Sequence, residues 1–197
     1  MNTQVLTAPP HAEPLVGFRS RKAAQLCAWF ALQTNDKFIE KLKLIKLIYL
    51  SERRHLATFE DSMLLDELYS LPHGPICSST LNGINGIIHG EVWDEYVVRN
   101  GNIIMAVKNF DRDSLDDLSE EDLDLAKAVW AQFGHMTASQ IRNYTHDNCP
   151  EYTELVSGRL PISYRDVLDA LGSDRALELE QEMASLRQAE NIFSQSY

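Results

Sequence analysis

The sequence has no apolar run approaching the roughly 20 residues that a membrane-spanning helix needs. Its N-terminal stretch also lacks a basic segment followed by an apolar one, which is the pattern of a secretory signal. These absences predict a cytoplasmic protein with no membrane partner. With 197 residues, 44% hydrophobic and 24% charged, the chain has the size and composition of one globular domain.

Cysteine is scarce, and nothing in its spacing indicates metal binding. The three cysteines, Cys27, Cys77 and Cys149, form neither a Cys-x-x-Cys pair nor an even set for disulfides, and no His-x-x-x-His pair occurs. We expect reduced thiols. A nucleophile elbow and a glycine-rich phosphate loop with its lysine are also missing. The sequence therefore predicts no catalytic residue, no cofactor and no metal site.

The charge is unevenly distributed. The net charge is −11, yet residues 1–57 carry nine Lys/Arg against four Asp/Glu, and residues 58–197 carry nine against twenty-five. Such an acidic surface is often simply solvated, but it disfavours nucleic acid and favours a basic partner. We expect no binding to DNA or RNA by this protein alone.

Apolar residues recur mostly at helical spacing, which predicts a mainly α fold: a single helical domain with one small β-hairpin or sheet. We expect a flexible N-terminal arm at 1–17, which contains three prolines, a helical domain at 18–172, and an acidic C-terminal helix at 173–197. The segment 37–57 is apolar on most sides, and such a helix is buried on most sides. We predict that it is the central helix.

Local signals place the other elements. Ser20 is predicted to cap a first helix ending near 33, and a glycine-containing helix is predicted over 78–89. Asn100-Gly101 between two alternating runs predicts a hairpin at about 94–107. Because a lone hairpin is marginal in water, it either packs on helices or gains a third strand near 67–71. Ser119 with Asp122 and Thr137 with Gln140 each match a capping box, and the second helix should break at Thr145.

One short segment, Leu71-Pro72-His73-Gly74-Pro75, has a nearly prescribed backbone because its two prolines fix φ. His73 there is either an active-site residue or a turn histidine bonded to neighbouring backbone. No second chemical group pairs with it in the sequence, so a structural corner is the better interpretation.

Arg53 and Arg54 close the predicted central helix. Positive charge suits a helix C-terminus, so one interpretation is that both are plain solvated side chains. Pairing with the acidic half of the chain, or with an acid of a partner, is the alternative.

Three separated motifs together resemble the Panacea-domain family, also called SocA-like. The family pattern is a Lys-Leu-x-Lys-Leu-x-Tyr helix, a Tyr-x-x-x-x-Gly-Pro turn and a late Thr-His segment followed by Pro and an aromatic residue. The resemblance spans about residues 20–170. The positions that carry it are Lys43, Lys46 and Tyr49; Tyr69, Pro72, His73, Gly74 and Pro75; and Thr145, His146, Pro150 and Tyr152.

The resemblance implies an antitoxin, not an enzyme. Family members are encoded beside diverse toxins and neutralise them by direct protein–protein binding, and some occur in prophages. The implied partner is a cognate toxin, which the acidic surface predicts to be basic. The motif positions would be structural or toxin-binding, and Arg53 and Arg54 are further candidates for partner binding.

Two alternatives stay open at this point. A SocA-like member acts as a proteolytic adaptor, so this protein could deliver its toxin to a cytosolic protease. A hydrolase-like enzyme using His73 and His146 is the alternative of another class. We also expect that the two ends of the chain, which the resemblance covers poorly, contribute to the choice of toxin.

Overall fold

The computed structural model describes residues 15–88 and 90–194, with side chains described up to 189. Within these residues the chain forms eight helices and two three-stranded sheets. None of the described helices is long and apolar enough to cross a membrane. The helices are α1 Ser20–Leu32, α2 Lys41–Phe59, α3 Ser78–Ile84, α4 Gly90–Asp94, α5 Glu120–Phe133, α6 Ala138–Asn148, α7 Tyr164–Ala170 and α8 Ala176–Ser194. The strands are β1 Phe38–Glu40, β2 Leu68–Leu71, β3 Gly74–Cys77, β4 Val97–Asn100, β5 Ile103–Ala106 and β6 Leu160–Ile162.

Helix α2 is the centre of the fold, as its all-round apolar pattern predicts. Leu44, Leu47 and Ile48 are completely buried, and α2 packs against α1, α5, α6 and β3. The predicted start at 37 was wrong. Lys37 has a left-handed φ of +57°, and the three residues after it pair with β5 before the helix begins.

The first sheet has the strand order β1-β5-β4, with both pairs antiparallel. The predicted hairpin is confirmed, but its turn lies one residue later than expected. Asn100 pairs with Ile103, so the loop is Gly101-Asn102, and only Gly101 has a positive φ. This matches a type II′ turn rather than type I′. The predicted start near 94 was also wrong, because Trp93 and Asp94 end α4.

The second sheet has the order β3-β2-β6, again antiparallel. The mainly α class is confirmed, but the prediction of one hairpin or sheet was wrong, as was the third strand at 67–71. That segment forms β2 of this separate sheet, while β1 completes the first. Strands of three or four residues give too few positions for a period of two to be recognised.

Helix boundaries differ from the predictions at three places. Ser20 is the first residue of α1, not its cap, and its Oγ accepts a 3.0 Å hydrogen bond from Trp93 Nε1. The predicted helix at 78–89 is divided into α3 and α4, because Gly86 has a φ of +71°; His89 lies outside the described residues. Helix α6 continues past Thr145 to Asn148.

The predicted capping boxes at Ser119/Asp122 and Thr137/Gln140 are both present. A third, Ser163 with Asp166, begins α7. The C-terminal helix α8 packs on α7 through buried Ala176, Leu179 and Met183. Residues 1–14 of the predicted arm lie outside the described residues, and the division into arm, domain and C-terminal helix stays a prediction.

Candidate functional site

Residues from all three sequence motifs meet where α2, the β2–β3 hairpin and α6 come together. We call Lys46, Gly74, Pro75, His146 and Tyr152 the motif cluster. The Lys46 side chain is completely buried, and its Nζ donates a 2.7 Å hydrogen bond to the carbonyl oxygen of Pro75. This bond ties the central helix to the hairpin.

Gly74 is required at this position for two reasons. Its φ is +95°, a backbone conformation that residues with a side chain rarely adopt. A Cβ added to it would lie 2.8 Å from Lys46 Nζ and 3.0 Å from His146 Nε2. Only a glycine allows the lysine and the histidine to approach the hairpin this closely.

His146 and Tyr152 complete the cluster from the other side. Their rings pack at a centroid distance of 4.5 Å, and the Tyr152 hydroxyl donates a 3.1 Å hydrogen bond to the carbonyl of Leu71. Burial, together with the positive charges of Arg142 and Lys46, lowers the pKa of His146. Its Nε2 is buried and has no hydrogen-bond partner among the described residues.

The positive charge of Lys46 is not compensated by a carboxylate. No acidic side chain of the described residues lies within ion-pair distance of its Nζ, and burial lowers the pKa of its amino group to about 7. A buried lysine without a counterion is costly while it is charged. The amino group can still donate to Pro75 when it is neutral.

A second contact joins the same helix to the late motif. The side chain of Glu151 is completely buried. Its carboxylate accepts hydrogen bonds of 2.7 Å from the Tyr49 hydroxyl and from Arg53 Nε. Burial, and then the charge of Glu151, raises the pKa of Tyr49. Glu151 was missed by sequence reasoning, because nothing local shows that α2 lies beside it.

The remaining candidates lie in different places. Lys43 bonds the carbonyl of Gly134 at 2.6 Å and lies over the Trp130 ring. Thr145 is buried and bonds the carbonyl of Arg142 within α6. Tyr69, on β2, packs beneath the Arg159 guanidinium. Pro150 is exposed just after α6.

The two arginines proposed for partner binding differ in their surroundings. Arg53 is engaged inside the chain by Glu151. Among the described residues, the one hydrogen bond of the Arg54 side chain is a 3.4 Å contact with Gln132 near the surface. Arg54 is therefore the freer of the two for a partner, and partner binding by either one stays a prediction.

His73 occupies the tip of the hairpin. Pro72 and His73 form its two-residue turn, since Leu71 pairs directly with Gly74. The ring is exposed, and the expected hydrogen bond to neighbouring backbone is not found among the described residues. The predicted rigid corner is thus a β-turn, and His73 itself is free at the surface.

The described residues offer no activated nucleophile beside these histidines. All three cysteines are buried and unpaired. Burial raises the pKa of Cys77, and it raises that of Cys149 to about 12. A protonated thiol is a poor nucleophile. Groups of three or more potential metal ligands are likewise not found among the described side chains.

A buried group of carboxylates was also missed by sequence reasoning. The carboxylate cluster consists of Glu52 and Asp66, both completely buried, with Ser62, Thr80 and Tyr164. Glu52 accepts hydrogen bonds from the Ser62 hydroxyl and the Leu64 amide, and burial raises its pKa to about 7. Asp66 accepts from the amides of Ser79 and Thr80 at the start of α3.

Comparison with known proteins decides the family. The model of the family described as "Antitoxin SocA-like, Panacea domain" matches residues 44–151, more than half of the chain. The chain belongs to this family. The matched part of the Panacea domain runs from α2 through α6, so it contains most of the motif cluster but not α1, α7 or α8. No curated protein and no solved structure matches the chain.

Family membership has two consequences for function. A family of antitoxin-like proteins indicates a non-enzymatic role, and it implies a toxin as partner. Several motif positions of the Panacea domain form hydrogen bonds or close contacts between a helix and the β2–β3 hairpin. In this chain, Lys46, Gly74 and Tyr152 join elements of the fold to one another.

Proposed function

We propose that this protein is the antitoxin of a toxin–antitoxin pair and neutralises a co-encoded toxin by direct binding in the cytoplasm. The observation that carries the proposal is the family match over residues 44–151. A prophage location of the gene pair and a basic toxin are parts of the same proposal.

Electrostatics supports a basic partner. A continuous segment from 111 to 124 exposes seven carboxylates, which we call the acidic surface: Asp111, Asp113, Asp116, Asp117, Glu120, Glu121 and Asp124. Four of them have a partner in the chain, since Arg21, Arg112 and Lys127 pair with them. The segment keeps a net negative charge, and complementary charge speeds the association of two proteins.

The C-terminal helix supplies a second candidate contact region. One face of α8 is buried on the domain, whereas Leu177 and Leu186 are exposed among acidic and polar side chains. The two leucines are nine positions apart and lie on different sides of the helix, so each is a separate candidate contact for another protein. Because α8 lies outside the matched family region, it is a suitable place for toxin choice to differ between members.

The deciding experiment uses the product of the neighbouring gene. We expect that product to arrest growth when expressed alone, co-expression of this protein to restore growth, and the two proteins to co-purify. A His73→Ala variant should still rescue, because binding needs no chemistry from this exposed ring. Failure of both rescue and co-purification would contradict the proposal.

The half-life of the toxin separates occlusion from delivery to a protease. Under the proposal, the toxin persists in the cell as a stable complex when this protein is present. A toxin that disappears only in protease-positive cells would identify a proteolytic adaptor instead. Loss of rescue in His73→Ala, with unchanged thermal stability and unchanged binding, would favour an enzyme.

A further inference from the structure

A cleft of about 440 Å³ lies between the start of α2, the β2–β3 hairpin and α3. This volume is within the range of roughly 300–1,000 Å³ that is usual for ligand sites. Its walls are mainly apolar and include Leu42, Ile45, Leu71, Ile76 and Leu81. The cleft opens to solvent.

Positive groups gather around this cleft in an otherwise acidic protein. Lys41 lines it together with the amino group of Lys46, and no carboxylate of the described residues lies within ion-pair distance of the Lys46 amino group. Arg99 reaches its rim, because Arg99 and Lys41 both donate to the same oxygen, Asn85 Oδ1, at 3.4 and 3.2 Å. The oxygen of Asn85 is neutral, and no carboxylate in the described part of the chain pairs with either cation.

The first turn of α2 adds to this positive environment. Its N-cap residue, Glu40, makes no capping hydrogen bond from its side chain. The amide of Lys41 donates a 2.8 Å hydrogen bond to the carbonyl of Asn102. Uncapped amides at a helix N-terminus favour an anion. Glu40 is the one carboxylate among the described lining residues.

We propose that this cleft binds the C-terminal carboxylate of a partner polypeptide whose last residue is apolar. The carboxylate supplies the counterion that Lys41 and Arg99 lack, and the last side chain fills the space between Leu42, Ile45 and Leu81. The end of a polypeptide chain fits this cleft better than a free small molecule does. The cleft opens to solvent, so the rest of the peptide can extend away from it. This inference goes beyond the proposed function and does not require the partner to be the toxin.

The test is a binding titration with the full-length protein. The probes are fluorescein-labelled hexapeptides that differ only in their last residue, Leu, Phe, Gly or Asp, each prepared as the free acid and as the C-terminal amide. Fluorescence polarisation should show binding of the Leu and Phe acids. The matching amides should bind at least about tenfold more weakly, the usual effect of losing one charge-assisted hydrogen bond.

Variants of the protein test the assigned groups. Lys41→Gln should weaken binding of the Leu acid about tenfold, while Lys127→Gln, an exposed lysine on α5, should leave it unchanged. Lys46→Met is a second variant of the cleft. If it does not fold, Lys41→Gln still tests the site, because Lys41 is only partly buried.

Three results would overturn the inference. The acid and amide forms could bind equally, Lys41→Gln could have no effect, or octanoate could bind more tightly than every peptide, which would indicate a free small carboxylate. Rescue of growth from the toxin is measured in a separate assay. Peptide binding can therefore fail while rescue succeeds, and the two proposals are distinguishable.

Discussion

The amino group of Lys46 has two opposed effects on the fold. Its hydrogen bond to Pro75 joins α2 to the β2–β3 hairpin, whereas its burial without a carboxylate opposes the charged form and lowers its pKa to about 7. Glu52 shows the same conflict with the opposite sign, since burial raises its pKa to about 7. Both side chains hold local structure together through hydrogen bonds. In both, a charge on the buried group lowers the stability of the folded protein.

The first prediction concerns Lys46 and alkaline pH. The unfolded amino group titrates near 10.5 and the folded one near 7, so between these values the unfolded state binds more protons and stability rises with pH. We expect Lys46→Met to remove up to about 1.4 kcal/mol per pH unit of that slope. Urea unfolding of both proteins at pH 7 to 9 measures it. Parallel curves for wild type and variant would show that Lys46 is charged and compensated in the folded state.

The second prediction concerns Glu52 and acidic pH. Its folded pKa lies above the unfolded value of 4.5, so the folded state binds more protons between pH 4.5 and 7, and stability falls as pH rises through this window. Glu52→Gln should flatten this decline, on top of a constant loss from the altered bond to Leu64. The variant Glu121→Gln, at an exposed carboxylate on α5, serves as control and should keep the wild-type slope. If stability fell with pH as steeply in Glu52→Gln as in the wild type, a raised pKa of Glu52 would be refuted.

At the scale of elements, hydrogen bonds from side chains to backbone carbonyls hold the pieces of the fold in place. Lys46 and Tyr152 both bond the β2–β3 hairpin. Arg187 of α8 bonds the carbonyls of Leu65 and Asp66 at 3.0 and 2.6 Å, just before β2. These carbonyls lie in a loop, at the end of β2 or on the edge strand β3, where the pairing of strands does not engage every carbonyl.

The third prediction compares two glycines. Gly74→Ala places a Cβ against Lys46 and His146 at a φ of +95°, whereas at Gly101, with a φ of +60°, a Cβ meets nothing within 4 Å. We expect Gly101→Ala to cost about 1–2 kcal/mol for the left-handed backbone alone. Gly74→Ala should cost at least about 2 kcal/mol more. Chemical denaturation of both variants measures the difference, and equal losses would mean that the motif cluster adapts to the methyl group.

The fourth prediction concerns the anchor of α8. Arg187→Gln removes the bonds to Leu65 and Asp66, and we expect faster amide hydrogen exchange in α8 with little change in α2, because the rest of the core is untouched. Arg165→Gln is the matched control, since Arg165 pairs only with Asp169 on the exposed side of α7. Equal exchange in Arg187→Gln and wild type would show that Leu179 and Met183 alone hold the helix.

For the molecule as a whole, the family-defining positions and the free surface are largely separate. The motif cluster is mostly buried and joins α2, the hairpin and α6, while the acidic surface and the outer face of α8 expose charge and a few apolar side chains. Such an arrangement keeps one scaffold while the partner-facing residues can vary.

The fifth prediction tests the acidic surface in the proposed complex with a basic toxin. The double change Glu120→Gln/Glu121→Gln should slow association several-fold at low salt, and the difference should shrink near 0.5 M salt because screening shortens the range of the interaction. Glu91→Gln/Glu154→Gln removes the same charge elsewhere and should change the rate much less. Stopped-flow association measures both. Equal rates for the two double variants would place the toxin site away from this surface.

The sequence by itself determined the mainly helical class, the central α2, the presence of a hairpin around Asn100-Gly101, two capping boxes and the family. These depend on local signals: apolar periodicity over many residues, turn residues and motifs in a fixed order. Tertiary structure alone decided the second sheet, because strands as short as Leu160–Ile162 are formed by their partners rather than by their own pattern. It also decided that Lys46, Gly74 and His146 meet, and that Glu151 binds Tyr49 and Arg53, because contacts between residues a hundred positions apart leave no local signal in the chain.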